Sequence, residues 1–144
     1  MANTYDPAKQ VVIWKGIRLS GFADGTFIEI DRDADSFTKI VGADGEVARA
    51  ASADRSGYVK VTVLQTAAIN DVLSSELVKD ELTRLNAGSI FVKDLFGRTT
   101  ASGPEAWLLR PAKVTLSKGI EAREWTFIVA DLAIFVGGNV GVMG

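Results

Sequence analysis

Asp31-Arg32-Asp33-Ala34-Asp35 sets three carboxylates at alternate positions. A calcium-binding loop begins the same way, because oxygens at its first, third and fifth positions wrap one hard cation. Such a loop bends on a glycine at its sixth position and closes with a glutamate at its twelfth. Ser36 and Gly42 stand there in this chain, so a solvated acidic turn is the expected reading, with no metal and no cofactor. Paired carboxylates also perform acid–base chemistry on glycosidic bonds when two of them flank a cleft. Spacing along the chain does not single out such a pair among 18 acidic residues, and surface charge is their ordinary use. Gly137, Gly138 and Gly141 echo a dinucleotide-binding loop, but that loop must open a helix after a strand, and no helical stretch follows. Trp14, Trp107 and Trp125 could stack on a sugar; lying within apolar strands, they are expected in the core.

The residues that are missing limit the chemistry further. The 144-residue chain has no histidine and no cysteine, which removes the commonest general base, thiolate metal sites and disulfides. No catalytic residue is expected, and the chain is not read as an enzyme. Sixteen basic against 18 acidic residues give a net charge of -2. A protein that grips nucleic acid through its phosphates needs the opposite balance. Hydrophobic residues make up 47% of the chain, with 14 glycines besides, and mean hydropathy is +0.17. Apolar surplus in a small domain is expected at subunit interfaces. The start, Met1 to Pro7, has neither the basic nor the apolar region of a signal peptide. The most apolar candidate span, Trp125 to Val136, is short and carries Asp131, so no membrane insertion is expected.

The elements that would carry these residues are mostly strands. Gln10 to Trp14 is apolar on both faces, Ile17 and Leu19 alternate with Arg18 and Ser20, and Gly16 marks a turn between them. Asp24-Gly25 is a hairpin signal. Ile28 and Ile30 then share one face, with Phe27, Glu29 and Asp31 on the other. Further strands are expected at Ser36 to Val41 and at Tyr58 to Leu64, where Val59, Val61 and Val63 face the same way. A period near 3.6 follows: Ile69, Val72, Leu73, Leu77, Val78, Leu82 and Leu85 form one stripe of a helix of about 18 residues, roughly 27 Å long. Asp71 and Arg84 suit the helix dipole, Thr66 or Asn70 is expected to cap the start, and Gly88 to supply a left-handed stop. Strands are expected again at Ser89 to Lys93, Ala106 to Arg110 and Lys113 to Lys118, with turn material from Phe96 to Pro104. A final strand or pair of strands runs from Arg123 to Val136. The whole reads as one domain over residues 1–144, mainly β, with two packed antiparallel sheets of sandwich or barrel type and one flanking α-helix.

Gly42 to Gly57 stands apart. It holds small and charged residues and too little apolar bulk for a core of its own, and loops of this length in compact domains are often functional. Two readings fit it: a solvated, flexible hairpin, or an extended hairpin loop that orders against a neighbouring subunit, where Asp44, Glu46 and Asp54 could pair with Arg49 and Arg55 across the interface.

Three stretches, in order, resemble the tail tube proteins of contractile-tailed bacteriophages (myoviruses): Ser36 to Val47, Asn70-Asp71-Val72-Leu73-Ser74 opening the helix, and Glu124-Trp125-Thr126-Phe127 leading into Val136-Gly137-Gly138-Asn139. The resemblance spans about Val11 to Asn139 and rests on order and spacing, since each stretch is short. It implies a structural virion protein whose hexameric rings stack into the inner tube of the tail, with strands of every subunit joining a continuous inner β-barrel. It implies as partners other copies of the chain, a contractile sheath protein, and tape measure, tail terminator and baseplate proteins. Genomic DNA would pass through the lumen without sequence-specific binding. Localisation would be the virion tail, assembled in the host bacterial cytoplasm. The long hairpin of such proteins contacts adjacent subunits or rings, a role that falls here on Gly42 to Gly57. A lumen that lets DNA slide should be neutral or acidic, and Glu29 and Asp31 are the candidates to line it. The alternatives are the tube of a related contractile injection or secretion system, and a β-sandwich carbohydrate-binding or adhesin module.

Overall fold

The computed structural model describes residues 10–22, 28–94 and 97–138; the Asp24-Gly25 hairpin signal, Phe27, Phe96, Asn139 and Gly141 lie outside them. The chain is mainly β, with two antiparallel sheets and one helix. Its elements are β1 (Gln10–Trp14), β2 (Ile17–Arg18), β3 (Ile28–Arg32), β4 (Phe37–Val41), β5 (Val47–Ala51), β6 (Gly57–Leu64), α1 (Ile69–Thr83), β7 (Gly88–Asp94), β8 (Thr100–Leu108), β9 (Ala122–Val129) and β10 (Ala133–Phe135). The large sheet runs β2-β1-β7-β8-β9-β6-β3, with β10 also on β8, and β4-β5 form a two-stranded sheet of their own.

Alternation explains the body. In β6, Val59, Val61 and Val63 are buried while Tyr58, Lys60 and Thr62 turn outward. Its neighbour β9 buries Trp125, Phe127 and Val129 on the same side. The sheet curls until these faces meet those of distant strands. Trp14 on β1 is three strands from Phe127 on β9, which in a flat sheet would place their backbones about 14 Å apart. Their rings instead meet edge to face, 5.0 Å between centroids, and the Trp14 indole donates to the Ala106 carbonyl at 3.1 Å. The segment after β2 then spans the gap. Leu19 N bonds Val12 O on β1, and Leu64 N at the end of β6 bonds Gly21 O. Trp14 and Trp125 are therefore core residues, as expected, and Trp107 is half-buried.

The helix covers this core with a narrower stripe than its period implied. Ile69, Leu73 and Leu77 are buried, whereas Leu82 is 80% and Leu85 88% exposed. No side chain caps its start, since Ala68 is the N-cap. Asn70 works differently: its amide donates to the carbonyls of Leu64, Gln65 and Ala67, and its oxygen accepts from the Trp125 indole at 2.9 Å. The stop is Arg84, itself left-handed at φ 60°, rather than Gly88, which lies in β7. A polar clasp ties the helix to the β1–β2 turn. Lys15 pairs with Glu76 at 2.9 Å and also bonds Asn86, whose amide donates back to the Glu76 carboxylate. Those bonds hold the Glu76 carboxyl at about 2, well below its ordinary value, against the opposing effect of burial.

Two expectations give way. Of the turn material expected from Phe96 to Pro104, everything from Thr100 onward is strand β8, which forks around Gly103. Ser102 pairs with Ala133 on β10, while Ala106 pairs with Val129 on β9. A Cβ on Gly103 would stand 2.2 Å from Val129 Cγ1, so the fork needs glycine. Lys113 to Lys118 forms no strand. Its alternation is real, but β9 already has β8 and β6 as neighbours, and Val114 and Leu116 remain exposed on a loop.

Candidate assembly site

The β4–β5 hairpin projects as an arm. Phe37 pairs with Ala51, Lys39 with Arg49 and Val41 with Val47 on one face, and Thr38 with Ala50 and Ile40 with Ala48 on the other. The segment expected as a loop from Gly42 thus contains the return strand β5, and the arm starts earlier, at Phe37. Every residue of both strands is exposed, including Phe37, Ile40, Val41 and Val47, each between 51% and 63%. An apolar hairpin facing water on both sides gains little from burial within its own chain.

The tip and stem are held by local polar bonds. Asp44 accepts from Glu46 N at 3.1 Å, and Gly42 N donates to Glu46 O at 2.7 Å. Gly45 turns the chain at φ +88°, a conformation costly for any residue with a side chain. Arg49 lies over the Phe37 ring, 4.2 Å from its centroid, close enough for a cation–π contact. At the stem, Ser52 N bonds Ser36 O at 2.9 Å. Asp54 accepts from the Ser56 hydroxyl at 2.6 Å and from its backbone N–H, and these bonds hold its carboxyl below the ordinary range. Arg55 reaches back to Asp131 on the body at 3.0 Å.

Of the residues expected at an interface, Asp44, Glu46 and Arg49 therefore sit on the arm, while Asp54 and Arg55 sit on its stem. None of these five pairs with another as an ion pair among the described residues. Glu29 and Asp31 share the outer face of β3, across from Lys60 and Tyr58 of β6. The Tyr58 hydroxyl donates to Glu29 at 3.5 Å, and desolvation, then the two carboxylates, push that phenol upward.

Sequence reasoning did not single out Phe37, Ile40, Val41 and Val47 as surface residues. The available signal was the partner strand: Val47-Ala48-Arg49-Ala50-Ala51 is too small to share a core with Phe37 and Ile40.

A curled β body carrying an arm whose apolar side chains go uncovered in their own chain is the build of a structural subunit. The kind of assembly follows from comparison with known proteins. Residues 16–137 match the family described as bacteriophage PhiTE tail tube protein, and the chain belongs to that family, which is structural and not enzymatic. A curated relative, "Structural protein ORF10" of Pseudomonas phage KPP10, is 27% identical over 123 residues, covering 84% of this chain and 71% of the relative. Solved structures share the fold at low identity. The anti-feeding prophage cap, a tube-terminating cap, superposes with a TM-score of 0.62 at 9% identity, covering 94% of this chain and 93% of the other. The sheath/tube terminator of an extracellular contractile injection system, PVC, in the extended state gives 0.57 at 12%, over 94% and 99%. The sheath-tube complex of PVC in the extended state gives 0.56 at 11%, over 92% and 91%.

Proposed function

We propose that this chain forms hexameric rings that stack into the inner tube of a contractile phage tail, the conduit for DNA ejection inside the sheath. The observation that carries the reading is the β4–β5 arm, anchored at its stem by Ser36–Ser52 and Arg55–Asp131 yet exposed along both strands. Covering such an arm with a neighbour would remove apolar area from water, which drives association. In this reading Asp44, Glu46 and Arg49 meet the neighbouring copy, Asp54 and Arg55 fix the angle of the stem, and Glu29 and Asp31 line the lumen. Head-to-tail contacts of this kind close into a ring when the rotation fits. Sheath, tape measure, terminator and baseplate proteins are the further partners, and assembly takes place in the host cytoplasm before the tube becomes part of the virion tail.

The test replaces Phe37–Ala51 by Asn-Gly, a two-residue hairpin turn, between Ser36 and Ser52, which are already bonded across the stem. Negative-stain microscopy of the unaltered protein should show rings or hollow tubes. The shortened variant should remain a folded monomer with a near-native circular dichroism spectrum. An unaltered protein that stays monomeric at high concentration, even with its sheath partner, overturns the reading, and tubes of normal length from the variant overturn the role of the arm. A tube subunit of a related contractile injection system is the second reading, supported by the likeness to the PVC and anti-feeding prophage structures. Neighbouring genes for sheath and tail-length proteins would separate the two.

A further inference from the structure

The outer face of β6 and β9 carries a groove of about 450 Å³ beneath the loop that follows β8. Three cations line it, Lys60, Arg110 and Lys113, against a single carboxylate, Glu124. Glu124 lies 3.8 Å from Lys60, while Arg110 and Lys113 have no acidic partner among the described residues. The groove therefore holds a surplus of two positive charges beside an apolar wall that includes Leu109 and Pro111.

The tip of the arm has the opposite character. Asp44 and Glu46 place two carboxylates on a turn otherwise built of Gly42, Ala43 and Gly45, small enough to enter a cleft. Behind them Val41 and Val47 face each other on one side of the hairpin, exposed. Charge and apolar character thus match twice, two acids to two surplus cations and a valine pair to an apolar wall.

We propose that the tip of the β4–β5 arm of one copy docks in this groove of a second copy, with Asp44 and Glu46 against Lys60, Arg110 and Lys113. The assignment deepens the assembly reading and rests on it, naming the surface that receives the arm. The contact is heterologous, since tip and groove are different patches, so one geometry serves every subunit of a ring or stack. It also bears on the channel. Lys60 stands directly across from Glu29, so uncovered cations here would border the face assigned to the lumen and hold passing phosphates. The tip carboxylates cancel that surplus.

The chain has no cysteine of its own, so site-directed disulfides test the contact cleanly. Glu46→Cys in a tagged copy and Lys113→Cys in an untagged copy, mixed and oxidised, should give the heterodimer in excess over either homodimer. In parallel, Glu46→Lys and Lys113→Glu should each lower tube yield by about tenfold or more, and mixing the two substitutions in one chain should restore it. Tubes that form normally with neither cross-link nor charge effect overturn the groove assignment and leave the assembly reading standing. Cross-linked heterodimers without tubes sustain the groove contact and overturn the tube. Neither tubes nor cross-link overturns both.

Discussion

Two antiparallel strand pairs in this molecule share one backbone pattern and differ in everything that stabilises them. In β6 and β9 alternate side chains interlock with the rest of the core, and Val59, Val61, Val63, Phe127 and Val129 are all fully buried. In β4 and β5 the ladder is equally regular over five residue pairs, yet both faces meet water. A two-stranded ribbon with no covered face is marginal on its own. What keeps the arm extended is local: the turn at Gly45, the bonds at the stem and Arg49 over Phe37. The body holds the core of the chain, and the arm buries none of its own residues.

The largest test of that difference truncates one phenylalanine in each pair. Phe127→Ala removes a fully buried ring in contact with Trp14 and should cost about 3–5 kcal/mol, a fall in Tm of roughly 10–20 °C by calorimetry. Phe37→Ala, half exposed on the arm, should change stability by no more than about 0.5 kcal/mol while lowering the yield of tubes. Equal losses of Tm would show that the arm folds as part of the body and break the comparison.

Legibility in the sequence follows the same division. Strands β6 and β9 could be read in advance because strict alternation of Val or aromatic residues has one outcome when a core is available. The arm's position could be read, but not its length, because β4 carries apolar residues on both faces and local pattern does not show whether anything covers them. Lys113 to Lys118 misleads for the converse reason, since its period is that of a strand but β9, the strand it leads into, is already paired on both sides by β8 and β6. Gly103-Pro104 reads as a turn because both residues usually are one; the approach of Val129 and of the Asp131 carbonyl explains the glycine. The groove cations come from Lys60, Arg110 and Lys113, and the clasp joins Lys15 to Glu76 and Asn86. Such groups meet through topology, and no spacing announces them.

The clasp gives the next effect. The Glu76 carboxyl, held at about 2 against an ordinary 4.5 by the bonds from Lys15 and Asn86, stabilises the body fully above the unfolded value. That contribution is lost as pH falls from about 4.5 towards 2; the shift corresponds to about 3 kcal/mol, which solvent screening at this surface clasp reduces to about 2 kcal/mol. Chemical denaturation at pH 7 and pH 3 should show the loss, and Glu76→Gln should be less stable at pH 7 and lack this part of the acid dependence. Because the clasp lies in the body, arm contacts should not follow the same titration. Tube yield that tracks the Glu76 midpoint while the monomer stays folded would contradict the division.

The smallest effect strengthens the body instead of weakening it. Arg84 ends α1 in the left-handed region, where a side chain crowds the following carbonyl and glycine does not. Arg84→Gly should therefore stabilise the fold by about 0.5–1 kcal/mol, the relief of strain exceeding the added freedom of the unfolded chain. Thermal unfolding should show a rise of roughly 2–3 °C. The substitution leaves the arm untouched, so tube yield at a temperature where both proteins are folded should not change. If yield falls although Tm rises, the exposed end of α1 with Leu82 and Leu85 is itself buried between subunits, and assembly is shared between arm and helix rather than carried by the arm.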